Sequence, residues 1–264
     1  MREYPSSLND SEWEILGPLL PPEPLTLRGR PRLHTRRDIM NGILYILRTG
    51  GAWRMMPHDL PHWKTCYHYF RLWAKQGWWK QIHDTPRDKA RLKSGKKRAP
   101  TAAIIDSQSV RTASQSGVRG YDAGKKITGR KRHILVDTHG NLLALQVTAA
   151  DVQDRDGARS LLKDLLKTSY GWLKLIWADG GYSGKLEEDI GGIARHRKVK
   201  LEIVKRSDDV KGFKVLPKRW IVERTFAWFI QSRRLIRDYE VKIEHSEAMI
   251  YLSMTRRMLA KIAI

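Results

Sequence analysis

Two short apolar runs in this chain end in an acid followed by a small or polar turn. They are Ile105-Asp106-Ser107, closing TAAIID (101–106), and Ala178-Asp179-Gly180-Gly181-Tyr182, closing WLKLIWAD (172–179). Both runs read as β-strands, and acids at strand carboxyl ends stand where open α/β sheets place their sites. A third acid, Glu223, lies in an aromatic, basic stretch that reads as a helix (PKRWIVERTFAWFIQSRR), with Arg219 one turn earlier on the same face. Three carboxylates brought together repel one another, and divalent cations relieve the repulsion; an all-oxygen donor set selects Mg2+ or Mn2+. Two such ions ~4 Å apart stabilise the attacking and leaving oxygens of an in-line phosphoryl displacement. That chemistry needs no nucleophilic side chain, which agrees with the lack of a convincing Ser/His/Asp or Cys/His grouping. On spacing alone the alternative stays open that each acid is a helix cap or a surface ion-pair partner.

Other acids compete. Asp137, Asp151, Asp154 and Asp156 are rivals, and ADVQDRDGA resembles part of a calcium loop but lacks the bidentate Glu at the required spacing. Capping of the following helix is the simpler reading for Asp154 and Asp156. His58 and His62 are four apart, but Pro61 interrupts any helix that would align them as metal ligands. Gly180-Gly181 has neither the GK[ST] nor the GxGxxG pattern of a nucleotide loop. The single cysteine, Cys66, can form no internal disulfide and anchors no zinc site; it reads as a small buried hydrophobe.

Charge points to the partner. Fifty Lys+Arg against 28 Asp+Glu leave a net charge of +22. Such an excess opposes compactness unless a polyanion neutralises it, and nucleic acid does so with counterion release. The charge is clustered in residues 86–100 (PRDKARLKSGKKRAP), in 111–132 through Lys125, Lys126, Arg130, Lys131 and Arg132, and in 218–237 through Arg224, Arg233 and Arg234. These runs read as a phosphate track on double-stranded DNA. No apolar run approaches the ~18 residues of a membrane helix. The opening MREYPSSLNDSEWEIL lacks a basic stretch ahead of an apolar core, so no secretion signal and a cytoplasmic protein are expected.

The elements that must position the acids fall into two groups. Residues 1–84 read as helical: SEWEILGPLL behind the caps Asn9, Asp10 and Ser11; a helix from about Thr35 stopped by Gly50-Gly51; and HWKTCYHYFRLWAKQGWW with an aromatic stripe. Helix, glycine-containing turn, helix is compatible with a helix-turn-helix DNA reader. Residues 85–100 read as a basic linker. Beyond Pro100 come the strand to Asp106, a hairpin from KRHILVD (131–137) and LLALQVT (142–148), a helix at 155–168, the strand to Asp179, VKLEIV (199–204), and helices near 217–235 and 245–263. This order predicts an α/β (α+β) class, a mixed sheet flanked by helices.

WRMMPHDLPHWKTCYHYFRLW, IIDSQSV, GRKRHILVDTHGNLLALQVTAADVQDRDGA, WADGGYSG and RWIVERTFAWF resemble, over nearly the whole chain, bacterial insertion-sequence transposases of the DDE class, insertion-sequence-five group. The resemblance implies an RNase H-like catalytic domain at 101–264, with Asp106, Asp179 and Glu223 as the three acids in order. It implies a domain at 1–84 that binds the element's terminal inverted repeats, and nucleoid association. Around the glutamate the family carries Tyr, Arg, Glu and a basic residue; Arg219 and Glu223 fit the Arg-x-x-x-Glu part, while Leu216 and Ile230 hold the tyrosine and basic positions. The expected activity is metal-dependent DNA cleavage and joining of 3′-hydroxyl ends to target DNA, with two Mg2+ (or Mn2+) ions and a homodimer on DNA. An RNase H-like nuclease without strand transfer and a non-enzymatic DNA-binding repressor are the competing functions.

Overall fold

The computed structural model describes residues 4–22, 33–114, 117–168, 172–184, 186, 199–204 and 218–263. The chain forms two compact units: residues 1–93 with 229–236 and 244–264, and residues 94–228 with 237–243.

The first unit is helical. Helix α1 (Asp10–Leu16) starts at a capping box in which Asn9 and Glu12 satisfy each other's backbone N–H. Thr35 and Asp38 do the same for α2 (Arg36–Thr49), which stops at Gly50 in the left-handed region. Residues 50–62 join α2 to α3 (Trp63–Lys75) through a 3-10 turn at Trp53–Met55. That connection is longer than the three- or four-residue turn of a helix-turn-helix. The two helices approach closely: a Cβ on Gly42 would lie 2.6 Å from the Cys66 sulfur. Burial there pushes the Cys66 thiol up to about 12, against its own backbone hydrogen bond, so the cysteine packs and does not react.

The run expected as a single third helix divides at Gly77, whose φ is +73°, and continues as α4 (Trp78–Lys93). Residues 85–93, read from sequence as linker, are therefore helical. Pro86 removes one backbone donor, a loss of about 3 kcal/mol in a helix interior. Burial of Trp79, Ile82, His83, Pro86 and Ala90 along one face offsets it, as do the ion pairs of Arg87 with Asp84 (2.6 Å) and Asp88 (2.9 Å). The last helix, α7 (Ile243–Ile262), buries residues on every side, His245 and Met249 to Leu252 among them, so it needs helices around it. Residues 244–264 accordingly cluster with the helical unit, where Arg256 pairs with buried Glu12. The sequence predicts one domain over 101–264; in the structure 229–236 and 244–264 group with the helices instead.

The second unit is a mixed sheet. Strand β1 (Ala102–Arg111) pairs antiparallel with β3 (Ile127–Asp137), which pairs antiparallel with β4 (Leu142–Ala149) and with the short β2 (Gly120–Asp122). On its other edge β1 pairs parallel with β5 (Leu175–Ala178), and β5 with β6 (Lys200–Ile203). Helix α5 (Asp154–Thr168) covers one face, packing Ala158, Leu161, Leu162 and Leu165 against Ala103, Ile105, Leu135 and Ile176. Side chains alternate across a strand, so Asp106 and Asp179 project from the opposite face. Helix α6 (Arg219–Phe229) is anchored to the β3–β4 turn. There Thr225 donates to the Gly140 carbonyl (3.0 Å) and Arg224 to the His139 carbonyl (2.9 Å).

Candidate active site

Strand register brings the first two acids level. Ile104 pairs with Trp177 across the parallel β1–β5 contact, and Asp106 and Asp179 each stand two residues further on. Asp106 does not end its strand, as the sequence had suggested; β1 runs on to Arg111 because β3 pairs with it as far as Gly129. What ends at this level is β5, and the sheet opens there. Asp106 accepts at Oδ1 from the Ser107 N–H (2.7 Å), and Asp179 accepts at Oδ1 from the Gly181 N–H (2.9 Å).

Helix α6 supplies the rest. Nη2 of Arg219 lies 3.3 Å from Asp179 Oδ2, 3.7 Å from Glu223 Oε1 and 3.9 Å from Asp106 Oδ2. Three carboxylates from three separate elements thus converge on one guanidinium nitrogen. Burial raises the Asp106 carboxyl to about 6; the Ser107 N–H works against this, the Asp179 carboxylate adds to it, and Arg219 and Lys125 oppose it. The cluster holds more negative charge than its surroundings welcome.

A bound metal ion would relieve that excess. The donor set is all carboxylate oxygen, the hard-cation type, and the desolvated acid favours a nearby cation. The side chains close on Arg219, and among the described residues no group of three or more His, Cys, Asp and Glu is disposed around a cation position.

Behind the acids, on the α5 face, lies a polar group whose members the sequence presents only separately, Lys131 as a phosphate contact and Asp154 as a cap. Lys131 Nζ sits 2.9 Å from Asp154 Oδ1 and 3.5 Å from Asp122 Oδ2, and Ser109 donates to Asp122 at 2.5 Å. Tyr182 is fully buried, and its phenol is pushed up by burial and by the Asp106 and Asp154 carboxylates. Its place in ADGGY was the available signal. A cavity of about 450 Å³ beside Gly181 is lined by Lys125, Lys131, Asp122, Asp154 and Arg155.

The basic residues expected to track phosphate separate into two classes. Lys125 and Lys126 are exposed at the β2–β3 turn, Arg233 is exposed, and Arg224 is half-buried over the rings of Trp220 (4.5 Å) and Trp228 (4.8 Å). Arg130, Lys131, Arg132 and Arg234 are buried, which corrects the expectation for all four. Arg130 pairs with Asp238 at 3.3 Å and donates to the carbonyls of Val118, Glu240 and Val241. Arg132 donates to Gln108, and Arg234 to the Gly51 carbonyl at 3.0 Å. A charge run on a strand paired along both edges cannot place every cation in solvent. Asp154, read as a helix cap, is the ion-pair partner of Lys131, and Asp137 accepts from His139 N, Asn141 N and the Asn141 amide within the β-turn.

Comparison with known proteins decides the family. A family model described as "Transposase DDE domain" matches residues 97–259, more than half the chain and a span that includes all three acids. The chain belongs to the transposase DDE domain family. The mixed sheet is the RNase H-like architecture that this membership implies. A second model, "Putative transposase of IS4/5 family", matches residues 8–83. Among curated relatives, "Insertion element IS402 uncharacterized 16.2 kDa protein" from Burkholderia cepacia is 32% identical over 108 residues, 39% of this chain and 72% of that one. "Putative transposase for insertion sequence element IS402" from the same organism is 30% identical over 131 residues, 47% of this chain and 60% of that one. No helix among the described residues is long and apolar enough to cross a membrane.

Proposed function

We propose that this DDE transposase cuts DNA at the ends of its insertion sequence and joins the resulting 3′-hydroxyls to target DNA, with Asp106, Asp179 and Glu223 as the catalytic acids. The observation that carries the reading is the convergence of these three carboxylates, from β1, the turn after β5 and α6, within 3.9 Å of one Arg219 nitrogen. The three acids would hold two Mg2+ or Mn2+ ions, whose chemistry is to stabilise the attacking and leaving oxygens of a phosphoryl displacement.

The chain's own groups do the positioning. Ser107 N–H and Gly181 N–H each fix one oxygen of an aspartate, leaving the other turned toward the centre. Arg219 neutralises the acids and orients Glu223 one turn along the same helix. The exposed Lys125 and Lys126 take phosphates of the strand being cut, Lys125 lying close enough for its charge to be felt at Asp106. Residues 1–84 bind the terminal inverted repeats, and two chains act together because two ends must be joined.

A supercoiled-plasmid cleavage assay carrying the element's ends tests this. Nicking or excision in Mg2+ or Mn2+ but not in chelator, lost in Asp106→Asn, is expected; metal-independent cutting refutes it. Strand-transfer products separate the transposase from an RNase H-like nuclease that uses the same acids.

A further inference from the structure

We propose that the solvent face of α3 is the groove-reading surface of the helical unit, with His68 and Arg71 on base edges and Lys64 and Lys75 on flanking phosphates. The inference rests on the DNA-binding reading above and adds to it the element and residues that do the reading.

The argument begins with spacing. At 100° per residue, Lys64, His68, Arg71 and Lys75 fall within an arc of about 60°. The buried residues of the helix, Cys66, Phe70 and Trp73, fall within an equal arc on the opposite side. Core and cation faces are therefore back to back. All four cationic or imidazole side chains are exposed, and α3, WKTCYHYFRLWAK, contains no acid. None of the four forms an ion pair with a described residue, whereas cations on the neighbouring elements do: exposed Lys80 pairs with Asp84 at 2.8 Å and half-buried Arg37 with Asp10 at 2.6 Å. Arg54 extends the patch past the start of the helix, with its guanidinium 5.5 Å from the Trp63 ring and Lys64 on the same ring at 5.8 Å.

A helix surface that is basic along its length, neutralised by no described residue and backed by a rigid aromatic core fits a polyanion. Duplex DNA matches its dimensions. Lys64 to Lys75 spans about 16 Å at 1.5 Å per residue, and a major groove about 12 Å wide admits a helix. In that seat the outer lysines reach the phosphates on either side. The central pair faces the groove floor, where arginine is bidentate to guanine and imidazole exchanges one hydrogen bond.

Binding of the full chain is read in chelator, so that no cutting intervenes, by fluorescence anisotropy. The probes are a labelled 30-base-pair duplex of random sequence and a duplex that the wild type enriches from a random pool. Replacing Lys64, His68, Arg71 and Lys75 by alanine should weaken binding to both duplexes at least tenfold. It should also flatten the salt slope by about two units, ~0.9 per lost phosphate contact. Arg71→Gln alone should remove the preference for the enriched duplex while sparing random-duplex affinity, and Lys64→Arg with Lys75→Arg should bind normally. Replacing Lys80, Lys89 and Lys93 of α4, three exposed cations to match Lys64, Arg71 and Lys75, should change affinity less than twofold. Unchanged affinity and slope in the fourfold variant, with wild-type plasmid cutting intact, would overturn the α3 assignment and leave the transposase reading standing. Equal losses in the α3 and α4 variants would also overturn it, as net charge alone. A wild type that neither binds nor cuts DNA would refute both.

Discussion

Asp106 and Asp179 are held in the same manner: each accepts at Oδ1 from a backbone N–H just beyond it in sequence and turns Oδ2 toward the same nitrogen of Arg219. The two acids sit in different structure, Asp106 inside β1 and Asp179 just past the end of β5, yet the parallel pairing of Ile104 with Trp177 sets them at one level. One oxygen of each is fixed by local backbone and the other is available to a cation, an arrangement suited to ligands that must keep their geometry when a charge is exchanged.

Removing the charge of one acid at constant shape should abolish cleavage without abolishing DNA binding. Asp106→Asn, Asp179→Asn and Glu223→Gln are each expected to cut supercoiled plasmid at background level in Mg2+ while shifting an end-containing duplex like wild type. Affinity comes from the basic surface and not from the acids. Wild-type-like cutting by Glu223→Gln would remove it from the catalytic set.

Arg219→Ala should reduce strand transfer by about 10²-fold at saturating DNA, the scale of losing one preorganised charge contact. Arg219→Lys should recover only part, because a single ammonium lacks the fork of a guanidinium. A variant with normal strand transfer would mean that the 3.3 Å contact to Asp179 is only an ion pair.

Asp154→Asn should cost about 1–3 kcal/mol of stability, since it leaves the buried Lys131 ammonium with Asp122 alone at 3.5 Å. The measurement is the urea midpoint of the variant beside wild type. A change of under about 0.5 kcal/mol would return Asp154 to the role of an exchangeable cap.

The stability contributed by the buried histidines should fall with acid between pH 6.5 and 4, opposed in part by Asp106, whose raised carboxyl is protonated sooner in the folded state. Burial lowers the His133 imidazole to about 4, with Asp154 pulling it up and Lys131 and Lys125 pushing it down. Burial lowers fully enclosed His83 as well, against the Asp84 carboxylate. Unfolding lets each ring take up a proton at its ordinary pKa, so in this window the unfolded state binds more protons at these rings and their contribution to stability rises with pH. The His133 contribution is complete above pH 6.5 and lost on descent to about 4. Denaturation midpoints across this range should slope less in His133→Gln by about one proton, ~1.4 kcal/mol per pH unit at most; an identical slope would count against the buried neutral ring.

Gly140→Ala should lower the melting temperature and cleavage together. Gly140 has φ +81°, and a Cβ there would meet Thr225 Oγ1 at 2.7 Å and the Trp228 ring at 2.9 Å. The strain, about 1–3 kcal/mol, falls on the turn to which α6 is anchored, one turn from Glu223. Loss of stability with full cleavage would show that Glu223 is positioned independently of that turn.

Much of this protein is local and was legible without coordinates. The β3–β4 hairpin follows from the apolar runs at 134–136 and 142–145 on either side of Thr138-His139-Gly140-Asn141. The starts of α1 and α2 follow from Asn9 and Thr35, and the separation of Arg219 and Glu223 by one helical turn follows from their spacing. Each depends on neighbours in sequence, and the family resemblance singled out the three acids through motifs of the same short range. The sequence alone left Asp154 equal to a cap and left Arg130, Lys131 and Arg132 equal to solvent-facing cations. Their fate depended on β3 being paired along both edges, which buries alternate side chains on each face and obliges every cation to find an internal partner. Residues 85–93 read as linker because their charges are conspicuous and their buried face is not, until α4 is packed. The convergence at Arg219 is tertiary in the same sense. Asp106, Asp179 and Glu223 are far apart along the chain, and only the parallel register of β1 with β5 and the docking of α6 on the hairpin turn bring their mutual repulsion to one point, where a cation can act on it.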